Sequence, residues 1–220
     1  MSLKLNWDGK TYMFFSRSKA GQIHNQARMV ERIKNGVYLL EIGPRGGEMS
    51  NKVILKLARG HDEIKVLETE AGFYEHHLTD LRGKYVPEFY GIYHGDVLRS
   101  PMACMLLEYC TGPKLEFDER NRKVMVAACA VHSAGLLHGD LLDGHHFVTS
   151  GREIKIVDFS NAAPHRCYSG TPTLLPGRGD DSANGCPELV ALEATYGIFS
   201  GGPVGNPVQL MARRLWASMV

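Results

Sequence analysis

The chain has 220 residues, 44% of them hydrophobic, with 25 Lys and Arg against 24 Asp and Glu for a formal charge of +1. That apolar share can bury a substantial core, and a near-neutral balance without a basic cluster gives no electrostatic footprint for nucleic acid or an anionic membrane. Five cysteines, Cys104, Cys110, Cys129, Cys167 and Cys186, form no C-x-x-C pair, and the odd count argues against a disulfide framework and for a reducing, cytoplasmic setting.

No apolar run reaches transmembrane length. The N-terminus, with Lys4, Asp8 and Lys10 around single apolar residues, lacks the apolar stretch of a signal peptide. β-branched runs predict strands near 27–33, 37–42 and 53–58, the first two joined by the turn Lys34-Asn35-Gly36. On the third strand Lys56 shares a face with Ile54 and opposes Val53, Leu55 and Leu57. Leu67, Ala71, Tyr74, Leu78 and Leu81 then recur at four- and three-residue steps, one stripe of an amphipathic helix ending near Gly83. At ~100° per residue Glu70 lies ~60° from the centre of that stripe, against ~100° for Glu68 and ~80° for Glu75, so Glu70 is best placed to point inward.

A further strand over 102–107 leads through Leu107 into Glu108-Tyr109-Cys110-Thr111-Gly112. Residues 120–133 read as a helix with Val124, Ala127, Ala128 and Val131 on one face, closed by Ala134-Gly135. The segment 164–187 is rich in Gly, Pro, Ser and Thr and reads as a long loop. Helices are expected again over 188–195 and 208–216.

The densest chemistry lies between these elements. His138-Gly139-Asp140-Leu141 is followed by His145, and then an apolar run 154–157 ends in Asp158-Phe159-Ser160, eighteen residues after Asp140. With Val53-Ile54-Leu55-Lys56-Leu57-Ala58 upstream, the set resembles the protein-kinase-like superfamily. The His-Gly-Asp form is closest to its small-molecule kinases and to small fungal kinase-like proteins.

The resemblance implies an α+β, protein-kinase-like bilobal fold, with a β-rich N-lobe over 1–110 and a shortened helical C-lobe over 111–220. It implies an ATP-dependent phosphotransferase using Mg²⁺ or Mn²⁺. Lys56, paired with Glu70, would reach the nucleotide phosphates; Leu107, Glu108 and Cys110 would form the adenine-binding hinge with Leu107 as gatekeeper; Asp140 would be the catalytic base; Asp158 and His145 would hold metal or phosphate. The partners expected are a nucleotide and a hydroxyl acceptor, protein or small molecule, and neither nucleic acid nor membrane.

Four features depart from the family pattern. The turn at Lys34-Asn35-Gly36 has a single glycine where a Gly-rich loop is expected, Ser160 replaces the glycine after Asp158-Phe159, and Cys186-Pro187-Glu188-Leu189 is a remote counterpart of A-P-E. His145 stands at the metal-binding Asn position, and imidazole suits Mn²⁺ better than Mg²⁺. A pseudokinase, meaning a nucleotide-binding or scaffold module without efficient transfer, is therefore the alternative. A remoter one is a metallophosphoesterase, because residues 139–146 also read G-D-x-x-D-G-H-H, although the upstream D-x-H and downstream G-N-H-D of that family are absent. His165 and Cys167 could join a zinc site, but no C-x-x-C accompanies them.

Overall fold

The computed structural model describes residues 2–16, 26–44, 46–97, 99–167 and 186–197. The expected helix over 208–216 and most of the loop over 164–187 lie outside them. By internal contacts the chain divides into two compact units. The first comprises Met1–Gly83 and Pro87–Tyr109, the second Lys84–Val86 and the chain from Cys110 onward.

Among the described residues the first unit has seven strands and one α-helix. In β1 (Ser2–Trp7) Leu3 and Leu5 are buried and Lys4 is exposed, the period-2 pattern of a half-buried strand. Asp8 and Gly9 both have positive φ, 49° and 71°, so β1 turns through a two-residue hairpin into β2 (Lys10–Phe15). After β3 (Gln26–Lys34) and β4 (Val37–Gly43), β5 (Asn51–Arg59) runs into α1 (Gly60–His76). The long strands β6 (Phe89–Val97) and β7 (Ser100–Glu108) complete the set.

The strands form a closed barrel in the order β1-β2-β6-β7-β5-β4-β3. Closure needs two joins: a parallel pairing of β1 with β3 over Lys4–Asn6, and an antiparallel contact of β2 with β6 at Phe15 and His94. Leu3, Leu5, Phe14, Leu40, Val53, Leu55, Leu57, Cys104 and Leu106 fill the interior. Outside it, α1 packs on β5 and β7, and its Tyr74 stacks on Phe89 with ring centroids 5.5 Å apart.

The second unit contains α2 (Phe117–Ser133), α3 (Pro187–Tyr196) and two small sheets. These sheets are β8 (Leu136–Leu137) with β11 (Ala163–Pro164), and β9 (Phe147–Ser150) with β10 (Glu153–Ile156). Val124, Ala127, Ala128 and Val131 of α2 are fully buried, and α2 packs on α3, β10 and β8.

This architecture corrects the expected bilobal kinase-like fold with its helical C-lobe. The described residues form a closed seven-stranded barrel with three α-helices. The expected strands do not include the N-terminal hairpin, and its two strands convert a sheet into a barrel by supplying both closing joins. Closure leaves the seven strands without edges.

The helix after β5 is also shorter than its stripe suggests. It ends at His76, and the N–H groups of His77 and Leu78 both reach back to the Phe73 carbonyl. A 3₁₀ turn over Thr79–Leu81 follows. Leu78 nonetheless remains buried, so the apolar stripe continues across the break.

Candidate functional site

In the first unit the pattern of β5 decides where Lys56 goes. Val53, Leu55 and Leu57 enter the barrel interior, so Ile54 and Lys56 face outward. On the neighbouring strand Met105 pairs with Lys56 and Leu107 with Ile54, so Leu107 shares the face of Lys56. Over that face α1 turns Glu70 inward, only 2% exposed. Lys56 Nζ donates to both carboxylate oxygens of Glu70, at 2.7 and 2.8 Å.

An ion pair so enclosed is costly to desolvate and adds little that apolar packing could not. It does fix an ammonium, a compact point charge, in one position. Glu108, at the end of β7, is held differently. Its N–H donates to the Glu88 carbonyl and its carboxylate accepts the Glu88 N–H, each at 2.9 Å. Cys110 is half-buried.

Two open pockets of about 520 Å³ each flank Trp7 and Arg59 of the barrel. One is lined by Met29, Tyr38 and Leu57, the other by Leu5, Tyr12 and Met102. Neither of these two pockets includes Lys56, Glu70 or Leu107.

In the second unit the loop after α2 holds the acids. Gly139 has φ +83°, and a Cβ there would lie 2.8 Å from the Asn161 carbonyl. Only glycine fits, which accounts for His-Gly-Asp at this position. Asp140 Oδ2 accepts from His146 Nε2 at 3.2 Å and from Asn161 Nδ2 at 3.3 Å. Asp143 accepts the backbone N–H of His145, while the His145 side chain is exposed.

Oxygen or nitrogen donors of Asp140, Asp143 and His146 lie within 4.8 Å of one another, a cluster that could hold a metal ion. His145 and Asp158 are not among its members. Asp158 opens a 3₁₀ turn with φ 70° and ψ 71°, a left-handed conformation that strains a residue other than glycine by roughly 1–2 kcal/mol. Its Oδ1 accepts from Ser160 Oγ at 3.0 Å.

Residues that the sequence reading did not assign to this site also order the loop. Glu188, at the start of α3, accepts the backbone N–H of His138 on Oε2 at 3.1 Å and that of Gly139 on Oε1 at 2.7 Å, and His132 Nε2 lies 2.7 Å from Oε2. Burial would push the Glu188 carboxyl up, but His132 and the two backbone donors outweigh it and hold it below its ordinary value. Burial likewise works against charge on His132, yet the hydrogen bonds and charges of Cys186 and Glu188 carry it up to about 10.

His138 is buried against Phe159, with Nε2 donating to the Val157 carbonyl at 3.1 Å. Burial, with the nearby His146, lowers its pKa. His146 and Asn161 adjoin motif residues and were visible as neighbours. Glu188 lies 49 positions from Gly139 in the chain, and only the packing of α3 brings it there.

Comparison with known proteins gives a partial answer. No family model matches the chain. Over 96 residues it is 30% identical to the serine/threonine-protein kinase Tao of Drosophila melanogaster, a match covering 36% of this chain and 9% of that protein. This is a partial, kinase-like relationship. The segment shared spans about a tenth of the relative's length and specifies no type of kinase. Separately, no helix among the described residues is long and apolar enough to cross a membrane.

Proposed function

We propose that the chain is an ATP-dependent phosphotransferase that passes the γ-phosphate to a hydroxyl acceptor, either a protein Ser or Thr or a small molecule. The observation that carries this reading is the enclosed Lys56–Glu70 pair, a fixed ammonium on the outward sheet face that also carries Leu107. The partial likeness to a serine/threonine kinase supports it.

In this reading Lys56 binds phosphate oxygens and Glu70 keeps its ammonium in place. Leu107, Glu108 and Cys110 receive the adenine. Asp140, oriented by His146 and Asn161, accepts the proton of the attacking hydroxyl. Asp158 offers a carboxylate oxygen, the ligand type Mg²⁺ prefers, and His145 an imidazole better matched to Mn²⁺. ATP with its metal supplies the transferable phosphoryl group and the charge neutralisation that transfer needs. The proposal rests on these residues and their contacts and not on a bilobal fold.

Two observations favour other readings. The turn before β4 contains Gly36 alone, which suits a nucleotide-binding module without transfer. The Asp140, Asp143 and His146 cluster suits a metal-dependent phosphoesterase, although the other motifs of that family are missing.

The test is thermal unfolding with ATP, ADP and a non-hydrolysable analogue, each with Mg²⁺ or Mn²⁺. A ligand at a hundredfold excess over its Kd should add ~2.7 kcal/mol to the wild type, a rise of several degrees. Lys56→Met should reduce that shift, read relative to its own unliganded midpoint. No shift under any combination would sink the nucleotide site. A shift without phosphate transfer would favour the binding module, and hydrolysis of phosphate esters without ATP would favour the phosphoesterase.

A further inference from the structure

A second cluster of ligating side chains lies away from Asp140. His132 comes from the last turn of α2, His165 and Cys167 follow β11, and Cys186 precedes the first residue of α3. Donor atoms of all four lie within 4.8 Å of one another. We propose that these residues form a structural zinc site.

The geometry argues for a metal over a chance gathering of polar groups. In a tetrahedral site with Zn–S of about 2.3 Å and Zn–N of about 2.0–2.1 Å, each N···S edge is about 3.5 Å. Cys186 Sγ lies 3.4 Å from His132 Nδ1 and 3.5 Å from His165 Nε2. Two of the tetrahedral edges are therefore already at their bonded length. The His132 and His165 rings meet edge to face with centroids 5.4 Å apart, which turns two different nitrogens towards one sulfur.

The surroundings match a metal site as well. A ligating imidazole commonly gives its second N–H to a carboxylate, which sets tautomer and ring orientation. Glu188 does this for His132, at 2.7 Å from Nε2, leaving Nδ1 towards Cys186. The donor set is two nitrogens and two sulfurs, which selects zinc over Mg²⁺ or Ca²⁺. On binding, each cysteine thiol loses its proton to solvent and ligates as thiolate.

Such a site has a structural reason to exist. The second unit holds two sheets of two strands each, which are marginal on their own. One ion would pin the end of α2, the segment after β11 and the start of α3. Through Glu188 it would also hold the backbone of His138 and Gly139, next to Asp140. The ligand spacing, with 32 residues, then one, then eighteen between successive ligands, matches no short zinc motif.

The test uses the full chain purified with zinc present and then with Co²⁺ exchanged for it. The proposal expects one zinc per chain by elemental analysis and a tetrahedral cobalt spectrum with a thiolate-to-cobalt charge-transfer band. Of the five cysteines, two should resist a thiol reagent until a strong chelator is added. Cys186→Ser should abolish the charge-transfer band, Cys167→Ser should weaken it, and Cys104→Ala, inside the barrel, should leave it unchanged. A chain that retains no metal, or a cobalt spectrum from nitrogen and oxygen donors only, would overturn the proposal. So would a band unaffected in both serine variants. If these variants fail to fold, the wild-type spectrum and thiol count decide alone.

Discussion

Asp140 sits with one carboxylate oxygen between His146 and Asn161, contacts that would orient it as the base in the proposed transfer. Asp140→Asn keeps the shape and loses the base. It should leave fold and nucleotide affinity intact and lower transfer by ~10²–10⁴-fold, measured as initial rate against thermal midpoint. Equal rates in wild type and variant would remove Asp140 from the chemistry. The neighbouring histidines should differ from each other. His146 contacts Asp140, whereas His145 is exposed and outside the acid cluster. His146→Ala should therefore depress turnover and shift the Mg²⁺ to Mn²⁺ preference more than His145→Asn. The opposite ranking would return the metal role to His145.

At the scale of elements, barrel closure depends on β2 and β6 coming close at one place. Gly95 of β6 is where they do: a Cβ there would lie 2.6 Å from the Met13 carbonyl and 3.0 Å from the Phe14 ring. Gly95→Val should cost ~1–3 kcal/mol by overpacking, read from urea unfolding. Gly72 is the contrast. It lies inside α1, and a Cβ there would meet nothing within 4 Å, so Gly72→Ala should stabilise by ~0.5–1 kcal/mol through helix propensity. A Gly95→Val chain as stable as wild type would show that β2 and β6 need not approach so closely.

For the whole molecule, one part of the acid dependence of stability follows from His138. Its ring faces His146, Asp140 and Glu188, and burial holds its pKa below the ordinary value of 6.5. A group with a depressed folded pKa contributes stability that is complete above its unfolded value and is lost as pH falls through the folded one. Stability should therefore decline as pH drops below about 6.5, where the unfolded chain takes up a proton that the folded chain resists. His138→Phe, which keeps a ring against Phe159, should flatten that part of the profile. An unchanged profile in melting experiments between pH 5 and 7.5 would assign the acid sensitivity to other groups.

Much of the local chemistry is legible in the sequence. Alternation in 53–58 sets Lys56 on the face opposite Val53, Leu55 and Leu57, and a 3.6-residue period turns Glu70 inward, because both rest on backbone geometry that neighbouring residues share. A signal for the β1–β2 hairpin, absent from the expected strands, is legible too: Leu3 and Leu5 alternate with polar residues up to Asp8-Gly9, a strong turn pair. What that hairpin does is not. Its parallel pairing with β3 and its contact with β6 close a barrel where a kinase-like, β-rich lobe was expected, and such pairings join residues too distant for any local period to register. The same holds for Glu188 on the loop of Gly139, and for four zinc-type donors drawn from three separate segments. Sequence by itself determined which faces carry charge; tertiary packing decided which distant groups meet, because that depends on how buried surfaces of remote elements fit together.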